Sequence, residues 1–493
     1  MDETYVEKIP EIVARLRKSF RSGTTRPVDW RRSQLEALRT VVTVHKTEIC
    51  EALKLDLGRD EYSTFISELS ATELEIQTAL SNLSSWMKPE PIAISFVNKP
   101  GSAKLVHEPL GVVLIMSAWN FPVLTLLQPA VGAIAAGNAV VLKPSSLASN
   151  TSVLIARLVE KYMHADSVAV VEGGVNSGQA VLKERFDKIM YTGGAGVGRI
   201  VMEAASKHLT PVSLELGGKN PCVITKNTSD LKVAVRRMCW AKFAVNAGQV
   251  CISPDYLLVD ECIGDQVVEL MKHTLAEFFG VDCKKSPAFS RIINANHAGR
   301  LQRIAEADKD YVVHGGEVEL EERFVAPTIV NFKTDQNAFK HSKCMQDEIF
   351  GPILPILYFK NVEEAVTIIG DGEKPLAFTV FGSPKDGEMF VNATSSGSLT
   401  VNDCIMQKGE LGIPFGGVGH SGFGRYHGKY SFTEFSHAKP VLQKTLKHDL
   451  DARYPPYTDS KKSLFENVHQ VLLGNKGMIG LGFRMIKYNM TNP

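Results

Sequence analysis

Three residues that could do chemistry, a cysteine, a glutamate and an asparagine, lie far apart along this chain. Cys251 lies in NAGQVCISPDY, and its thiolate could attack an electrophilic carbon if a nearby cation or base helped the thiol to ionise. Glu215 ends the apolar segment PVSLE, where burial would raise its pKa and suit the carboxylate to removing a proton from water. The amide of Asn120, in LIMSAWNFP, could donate to a developing oxyanion, a contact worth about 3 to 4 kcal/mol of activation free energy.

Each of these residues also has an ordinary structural interpretation. A free cysteine is among the residue types most often buried in a core, so Cys251 alone does not indicate a nucleophile. Glu215 could point to solvent at the end of a strand, and Asn120 could be a turn residue before Phe121-Pro122. Taken one at a time, the structural role is the more frequent one.

A glycine-rich turn and a lysine are candidates for nucleotide binding. Gly193, Gly194, Gly196 and Gly198 in YTGGAGVGRI fall between a predicted strand and a predicted helix, where phosphate can approach backbone N–H groups. The spacing is neither GxGxxG nor a Walker loop, so the signal is weak by itself. Lys143, in AVVLKPS, could reach ribose hydroxyls, or it could be a surface lysine.

The elements that must position these residues follow an alternating pattern. The first 85 residues predict helices, and from residue 110 short apolar runs alternate with helical segments, which predicts βαβ units and a parallel sheet covered on both faces. The runs predicted as strands are 112–116, 139–142, 167–171, 188–191 and 212–216. A second α/β series begins near Pro221, with strands at 222–225 and 256–259 and helices at 230–246 and 263–279. We therefore expect an α/β protein with two domains.

Composition excludes several classes of protein. The 493 residues carry 55 Lys and Arg against 54 Asp and Glu, so the formal charge of +1 provides no basic surface for nucleic acid. An uninterrupted apolar run of about 20 residues, which a membrane span needs, is missing. The N-terminus predicts an amphipathic helix rather than a signal peptide, so we expect a cytoplasmic protein. The eight cysteines have no CxxC spacing, so we expect free thiols and no metal site.

Seven motifs in order make the sequence resemble the aldehyde dehydrogenase superfamily over about residues 10 to 445. They are SAWNFP, GNAVVLKP, YTGG, LELGGKNP, GQVC, DEIFGPILP and PFGGVG followed by GRYHG. The short N-terminus and the ending PFGGVGHSGFGRYHGKYSFTEFSH resemble the class 3 branch, which includes dimeric enzymes for medium-chain, long-chain fatty and aromatic aldehydes. The resemblance implies oxidation of an aldehyde to a carboxylic acid with NAD or NADP.

The resemblance also implies roles for particular residues. Cys251 would attack the aldehyde carbon, Asn120 would hold the oxyanion, and Glu215 would activate the water that hydrolyses the thioester. The residues implied for cofactor binding are Trp119, Lys143, Ser146, Gly193, Gly198, Glu348 and Phe350. Many members have glutamate where this chain has Ser146; that carboxylate would repel the 2′-phosphate of NADP, so we predict use of NADP as well as NAD.

The implied fold is a Rossmann-type cofactor domain, an α/β catalytic domain and a small β arm for oligomerisation. The expected boundaries are 1–85 and 107–216 for the cofactor domain, 217–397 for the catalytic domain, 86–106 and 398–446 for the arm, and 447–493 for a C-terminal linker and apolar tail. We expect a homodimer in which residues 398–420 pair with the arm across subunits. Residues 451–462 predict a polar linker.

The tail could gate the substrate entrance, touch a membrane peripherally, or simply pack as a helix on the surface. Its apolar residues have helical spacing from Leu464 to Leu473 and continue from Met478 to Ile486. Two other functions stay open: a crystallin-like structural or ligand-binding protein on the same fold, and an acylating aldehyde dehydrogenase or esterase. An intact Glu215 favours release of a free acid.

Overall fold

The computed structural model describes residues 6–447 and 449–475. The described residues form two compact units, one made of the chain up to Met87 together with Glu108–His437, the other of Lys88–His107 and the chain from Ala438 onward. The candidate residues all lie in the first unit.

Helices and strands are numbered in chain order. The helices are α1 (Ile9–Arg21), α2 (Val28–Val44), α3 (Lys46–Leu57), α4 (Glu61–Thr64), α5 (Ser70–Trp86), α6 (Leu124–Ala136), α7 (Ser149–Tyr162), α8 (Val175–Val181), α9 (Ala195–Ser206), α10 (Leu231–Cys239), α11 (Gly264–Phe279), α12 (Ala295–Ala307), α13 (Gln336–His341), α14 (Lys343–Gln346), α15 (Val362–Gly370), α16 (Pro384–Ala393), α17 (Lys429–Glu434) and α18 (Asp459–Leu472). The strands are β1 (Glu90–Ile92), β2 (Gly101–Pro109), β3 (Val112–Met116), β4 (Ala139–Lys143), β5 (Val168–Val170), β6 (Lys188–Thr192), β7 (Val212–Glu215), β8 (Pro221–Ile224), β9 (Tyr256–Asp260), β10 (Val312–His314), β11 (Val318–Glu319), β12 (Phe324–Val325), β13 (Thr328–Asn331), β14 (Ile353–Phe359), β15 (Ala377–Phe381), β16 (Ser398–Val401), β17 (Gly422–Phe423) and β18 (Ser436–Lys444).

The first sheet has the strand order β17-β7-β6-β3-β4-β5, and β3 to β7 run parallel. Alternate residues of β3 enter different cores: Val113 and Ile115 join one cluster, and Val112 and Leu114 join the other. Because both faces are covered, the strand is apolar throughout, as predicted. The chain builds β4 and β5 on one side of β3 and then crosses to β6 and β7 on the other, and open α/β sheets bind their ligands at such a switch point.

The second sheet has the order β10-β13-β14-β9-β8-β15-β16, with parallel pairing from β13 to β16. We expected residues 398–446 to belong as a whole to the arm, but β16 is the edge strand of this sheet. Ser398 pairs with Ala377 and Val401 with Val380, so residues 398–401 extend this sheet. Gly422–Phe423 likewise pairs with β7 of the first sheet. These short runs carried no spacing that could assign them to one sheet rather than another.

The second unit contains a three-stranded sheet of order β1-β2-β18. Glu90 pairs antiparallel with Leu105, so residues 86–106, expected as part of the arm, contain a hairpin of this sheet. The polar linker predicted at 451–462 is shorter than expected, because α18 begins at Asp459, where the side chain of Thr458 caps the helix.

The helical part of the tail is present as α18. Leu464 is buried and packs with Phe96 and Leu450 of the same unit. The continuation from Met478 to Ile486 lies outside the described residues. Among the residues that the structure describes, no helix is both long and apolar enough to cross a membrane.

Candidate active site

Asn120 is fixed directly to the segment that carries Cys251. It lies beyond the end of β3, is 3% exposed, and its Nδ2 donates to the carbonyl oxygen of Gln249 at 3.0 Å. Asn246 Nδ2 donates in turn to the carbonyl oxygens of Asn120 at 3.0 Å and Gln249 at 3.2 Å. An amide nitrogen has two hydrogens, so Asn120 keeps one N–H for a further acceptor.

The segment before Cys251 has an unusual backbone. Asn246 and Ala247 have φ values of 51° and 49°, which side-chain-bearing residues seldom adopt. The side chain of Gln249 holds this turn, because its Nε2 donates to the carbonyl oxygens of Asn246 and Arg291, each at 3.0 Å. Such conformations persist where the surroundings over-determine them, and they are concentrated at functional sites.

Beyond the nucleophile candidate, Asn220 joins the segment to the second sheet. Its Nδ2 donates to the carbonyl oxygens of Cys251 at 2.7 Å and Ser253 at 3.0 Å, and its Oδ1 accepts from the N–H of Ala377 at 2.9 Å. The position of Cys251 is therefore fixed from both sides.

A buried ion pair supports the loop of Asn120. The guanidinium of Arg59 lies 2.5 Å from a carboxylate oxygen of Glu68, with side chains 1% and 0% exposed, and also donates to the carbonyl oxygen of Asn120 at 2.6 Å. The second carboxylate oxygen of Glu68 accepts from the N–H groups of Val123 and Leu124, at the start of α6. The pair thereby links Asn120 to the first turn of a fully buried helix.

Glu215 ends β7 and is 3% exposed, and within the described part of the chain neither carboxylate oxygen has a hydrogen-bond partner. Burial raises the pKa of Glu215 well above its usual value, opposed by the positive charges of Lys408 and Arg425. An unpartnered buried carboxylate costs free energy and requires a functional explanation. It fits a group that takes a proton from a reactant.

Cys251 is a half-buried free thiol. Burial raises its pKa to about 12, and the charges of Glu348 and Glu215 act in the same direction while Lys408 opposes them. The structure thus brings Cys251, Glu215 and Asn120, which come from three separate motifs, into one site. The solvent-facing interpretation of Glu215 does not hold.

The glycine turn between β6 and α9 offers open backbone. A Cβ added at Gly194 or Gly196 would meet nothing within 4 Å, whereas one at Gly193 would lie 2.2 Å from the phenol oxygen of Tyr191 and one at Gly198 would lie 3.0 Å from Leu216. The turn therefore presents backbone N–H groups at the start of the 12-residue helix α9, where an anionic phosphate binds favourably.

Lys143 is a buried residue, so the surface-lysine interpretation is wrong. It ends β4, is 6% exposed, and its Nζ donates to the carbonyl oxygen of Gly173 at 2.5 Å and to that of Pro144 at 3.3 Å. Burial lowers its pKa to about 8. Ser146 lies beside the same segment, with its Oγ 3.7 Å from the place where a Cβ of Gly174 would be. The Lys143 ammonium and the Ser146 hydroxyl thus both lie beside the Gly173-Gly174 segment.

Trp119, Glu348 and Phe350 form the remaining cofactor candidates. The rings of Trp119 and Phe350 meet edge to face with centroids 5.2 Å apart, and Phe350 has a φ of 49°. Glu348 packs against Gly217, where a Cβ would lie 2.1 Å from its carboxylate. Burial raises the pKa of Glu348 to about 8, and its Oε1 has no partner among the described residues. This oxygen is available to accept from a ribose hydroxyl.

Sequence reasoning did not identify the polar residues that hold the site together. No spacing in the sequence connects Asn120 with these residues, which are Arg59, Glu68, Gln249 and Asn220. The signal that could have found two of them was adjacency, because Gln249 lies within GQVC and Asn220 within GGKNP. Lys408 carried no signal.

Comparison with known proteins finds a family match over most of the chain and several similar proteins. The sequence model of the Aldehyde dehydrogenase family matches residues 2–441. Aldehyde dehydrogenase family 3 member A2 of Mus musculus is 46% identical over 95% of this chain and 96% of its own length. The dimeric NADP-preferring aldehyde dehydrogenase of Canis lupus familiaris is 44% identical over 92% of this chain and 98% of its own. The substrate-bound structure of Staphylococcus aureus AldH has a TM-score of 0.90 and 35% identity, covering 94% of this chain and 99% of that one.

Proposed function

Since this chain belongs to the aldehyde dehydrogenase family and oxidises aldehydes with NAD or NADP, we propose that Cys251, Glu215 and Asn120 are its nucleophile, general base and oxyanion donor. The observation that carries this assignment is the hydrogen bond from Asn120 to Gln249, two residues before the thiol. A second observation supports the assignment: the carboxylate of Glu215 has no partner among the described residues, and its charge raises the pKa of the same thiol.

The first half of the reaction forms a covalent adduct. The sulfur of Cys251, once deprotonated, adds to the aldehyde carbon, and the carbonyl oxygen becomes an oxyanion. This oxyanion accepts a hydrogen bond from the remaining N–H of the Asn120 side chain. The bound nicotinamide supplies a hydride acceptor for the hydrogen on that carbon. The carbon–oxygen double bond then re-forms, which leaves a thioester on Cys251.

The second half hydrolyses the thioester. Glu215 takes a proton from water as the water oxygen adds to the acyl carbon, and Asn120 again holds the oxyanion. Collapse of this intermediate breaks the carbon–sulfur bond and releases the carboxylic acid, while the proton on Glu215 leaves to solvent or to the thiolate. One aldehyde, one water and one oxidised cofactor give one acid, one reduced cofactor and one proton.

The residues assigned to the cofactor fit a dinucleotide. The turn flanked by Gly193 and Gly198 suits the pyrophosphate at its open backbone, Gly194 and Gly196. Lys143 suits the adenosine ribose, and the unpartnered Oε1 of Glu348 suits the nicotinamide ribose. Trp119 and Phe350 supply the aromatic surface beside it. At Ser146 a hydroxyl replaces a carboxylate, so the site accepts NADP as well as NAD.

Two substitutions test the assignment. Cys251→Ser keeps the shape of the side chain but removes the reactive sulfur, and we expect aldehyde oxidation to fall below detection. Glu215→Gln should still give a burst of about one reduced cofactor per active site, followed by slow thioester hydrolysis. Intact turnover of every tested aldehyde by Cys251→Ser would refute the proposal. Product analysis with and without coenzyme A separates free-acid formation from acyl transfer.

An apolar aldehyde of medium or long chain, or an aromatic or terpenoid one, is the substrate class we propose. Cys251 and Trp119 pack against an apolar core cluster whose members include Phe121, Phe415 and Tyr426, which supports an apolar substrate. We expect kcat/KM to rise with chain length across a panel of unbranched aldehydes. A preference for the two-carbon aldehyde would contradict this.

We also propose that the protein is a homodimer joined through the arm, since the name of the Canis lupus familiaris relative describes that protein as dimeric. The support within this chain is exposure: all of β1 and most of β18 are open to solvent, and β16 is the edge of the second sheet. Light scattering should give twice the mass of the chain. The exposed apolar side chains of α18, among them Phe465 and Leu472, support a tail that contacts substrate or a membrane surface.

A further inference from the structure

Lys408 is a buried cation that the assigned catalytic roles leave unused. Its Nζ donates to Oε1 of Gln128 at 2.6 Å and to Nε2 of His427. It also lies over the rings of Phe415 and Tyr426, 4.9 and 5.1 Å from their centroids. A desolvated ammonium over two aromatic faces is held in place by contacts that leave its charge intact.

Both hydrogen-bond partners of this ammonium are neutral. Gln128 is an amide, and burial together with the nearby charge lowers the pKa of His427 to about 2, so the imidazole is uncharged and its Nε2 accepts. Since neither partner cancels the positive charge, its field extends to other groups around it. A lysine hydrogen-bonded to a carboxylate would have far less effect at a distance.

Four other titratable groups face Lys408 from the elements packed around it. They are Glu75 from α5, Glu215 from β7, Tyr426 from the segment before α17, whose ring lies under the ammonium, and Cys251, which packs against the core cluster that contains Phe415 and Tyr426. Glu75 already accepts from the N–H of Gly428 at 2.8 Å and from the hydroxyl of Ser431 at 3.1 Å. The positive charge of Lys408 lowers the pKa of both Glu215 and Cys251. At Cys251 it acts against the carboxylates of Glu348 and Glu215, which raise the pKa of the thiol.

We propose that Lys408 is a positioning residue whose positive charge beside Cys251 and Glu215 stabilises the Cys251 thiolate on which attack at the aldehyde depends. The proposal rests on the proposed role of Cys251. The thiol lies in a site where burial and the charges of Glu348 and Glu215 already oppose its ionisation, so loss of the neighbouring cation would shrink the thiolate fraction further and slow the addition. Lys408 supplies that cation from the segment between β16 and β17.

The test is the rate at which iodoacetamide alkylates the thiol in the full-length protein without cofactor, measured from about pH 6 to about pH 10. Iodoacetamide reacts with the thiolate, so its rate constant reports the ionised fraction. We expect Lys408→Met to alkylate about tenfold more slowly than the wild type at pH 7, which corresponds to one pKa unit, and Lys408→Arg to stay within about twofold. Lys408→Gln serves as a second charge-removing variant.

The pH dependence separates a charge effect from a merely structural one. Burial lowers the pKa of Lys408 to about 8, so the wild type loses this charge as the pH rises above 8. The profiles of the wild type and Lys408→Met should therefore converge by about pH 10, whereas loosened packing would slow alkylation by one factor at every pH. Lys309→Met, at an exposed lysine of a surface turn, is the control and should match the wild type.

Mass spectrometry of the alkylated peptide distinguishes the two proposals. If the label is not on Cys251, or if Cys251→Ser remains active, the proposed function fails. If the label is on Cys251 and the profiles of wild type and Lys408→Met superimpose, or remain parallel over the whole range, the role of Lys408 is refuted while the nucleophile stands. A tenfold gap at pH 7 that closes at high pH, with Lys408→Arg like the wild type, supports it.

Discussion

Replacing Glu68 by glutamine should damage both stability and catalysis, although Glu68 touches no substrate. Its carboxylate pairs with Arg59 at 2.5 Å and accepts the N–H groups of Val123 and Leu124 at 2.8 and 3.0 Å. Arg59 in turn donates to the carbonyl oxygen of Asn120. Glu68→Gln keeps the shape of the side chain and one acceptor oxygen but leaves the Arg59 guanidinium buried without a counter-charge.

The size of the effect follows from burial. Removing one partner of a fully buried ion pair typically costs about 3 to 5 kcal/mol, and because glutamine still accepts a hydrogen bond we expect the lower value. With roughly 2.1 cal/mol/K of unfolding entropy per residue, the 493 residues give about 1 kcal/mol/K, so Tm should fall by about 3 °C. Complete loss of an oxyanion donor costs about 10²- to 10³-fold in kcat, so an Asn120 that is displaced but still present should cost about 10- to 100-fold.

Two assays and one control check this reasoning. Thermal unfolding measures Tm, and steady-state kinetics with a saturating cofactor measure kcat and KM; we expect kcat to fall and KM to change less than about threefold, since the lost contact acts in the transition state. Glu51→Gln, at an exposed glutamate on α3, should alter neither. If Glu68→Gln unfolds at lower temperature but keeps kcat within about twofold of the wild type, then the ion pair stabilises the fold without positioning Asn120, and the argument is wrong.

Three further predictions follow from other parts of the molecule. Ser146→Glu should lower kcat/KM for NADP at least about tenfold more than for NAD, since the new carboxylate would repel the 2′-phosphate. Steady-state kinetics with both cofactors measure this. A wild type that already prefers NAD by more than about a thousandfold would contradict the prediction. Lys242 is 0% exposed, and burial lowers its pKa to about 8. Between about pH 8 and 10.5 the folded state therefore binds fewer protons than the unfolded state, so stability rises with pH over this range. Below pH 8 the buried positive charge destabilises the protein to its full extent. Lys242→Met should therefore raise Tm at pH 7, with the gap from the wild type narrowing toward pH 10; an equal gap at both pH values would count against it. Deleting residues 463–493 should change chain-length preference in the aldehyde panel, and unchanged preference together with unchanged vesicle binding would show that the tail does neither task.

Apolar patterning predicted the first sheet well because its strands are buried on both faces. The run from Val112 to Met116 is short, rich in β-branched residues and wholly apolar, which favours a central parallel strand between two helical layers. The edge strands were harder to predict. Ser398–Val401 is partly exposed and only four residues long, so its pattern did not distinguish the edge of the second sheet from an arm strand.

The proposed reactive residues could be singled out from the sequence, but the residues that tune them could not. Cys251, Glu215 and Asn120 lie in motifs, and the segment before the cysteine needs a special local backbone with positive φ values. Lys408 needs no special backbone. Its influence on the thiol arises from packing between Gln128 and His427, which are 280 and 19 residues away along the chain, and no local pattern encodes contacts of that range.

The hydrogen bonds that fix the segment of Cys251 leave the titratable groups Glu215 and Lys408 available for chemistry. Asn120 comes from the first sheet and Asn220 from the start of the second, and both bind the backbone of the segment that carries Cys251. Neutral amides make these positioning contacts, so the contacts engage neither the carboxylate of Glu215 nor the ammonium of Lys408. Burial of the two groups costs stability, but both remain available to a proton, a thiolate or an oxyanion. Substitutions of the amides should thus lower kcat through geometry at every pH, whereas substitutions of the charged groups should lower it in a manner that depends on pH.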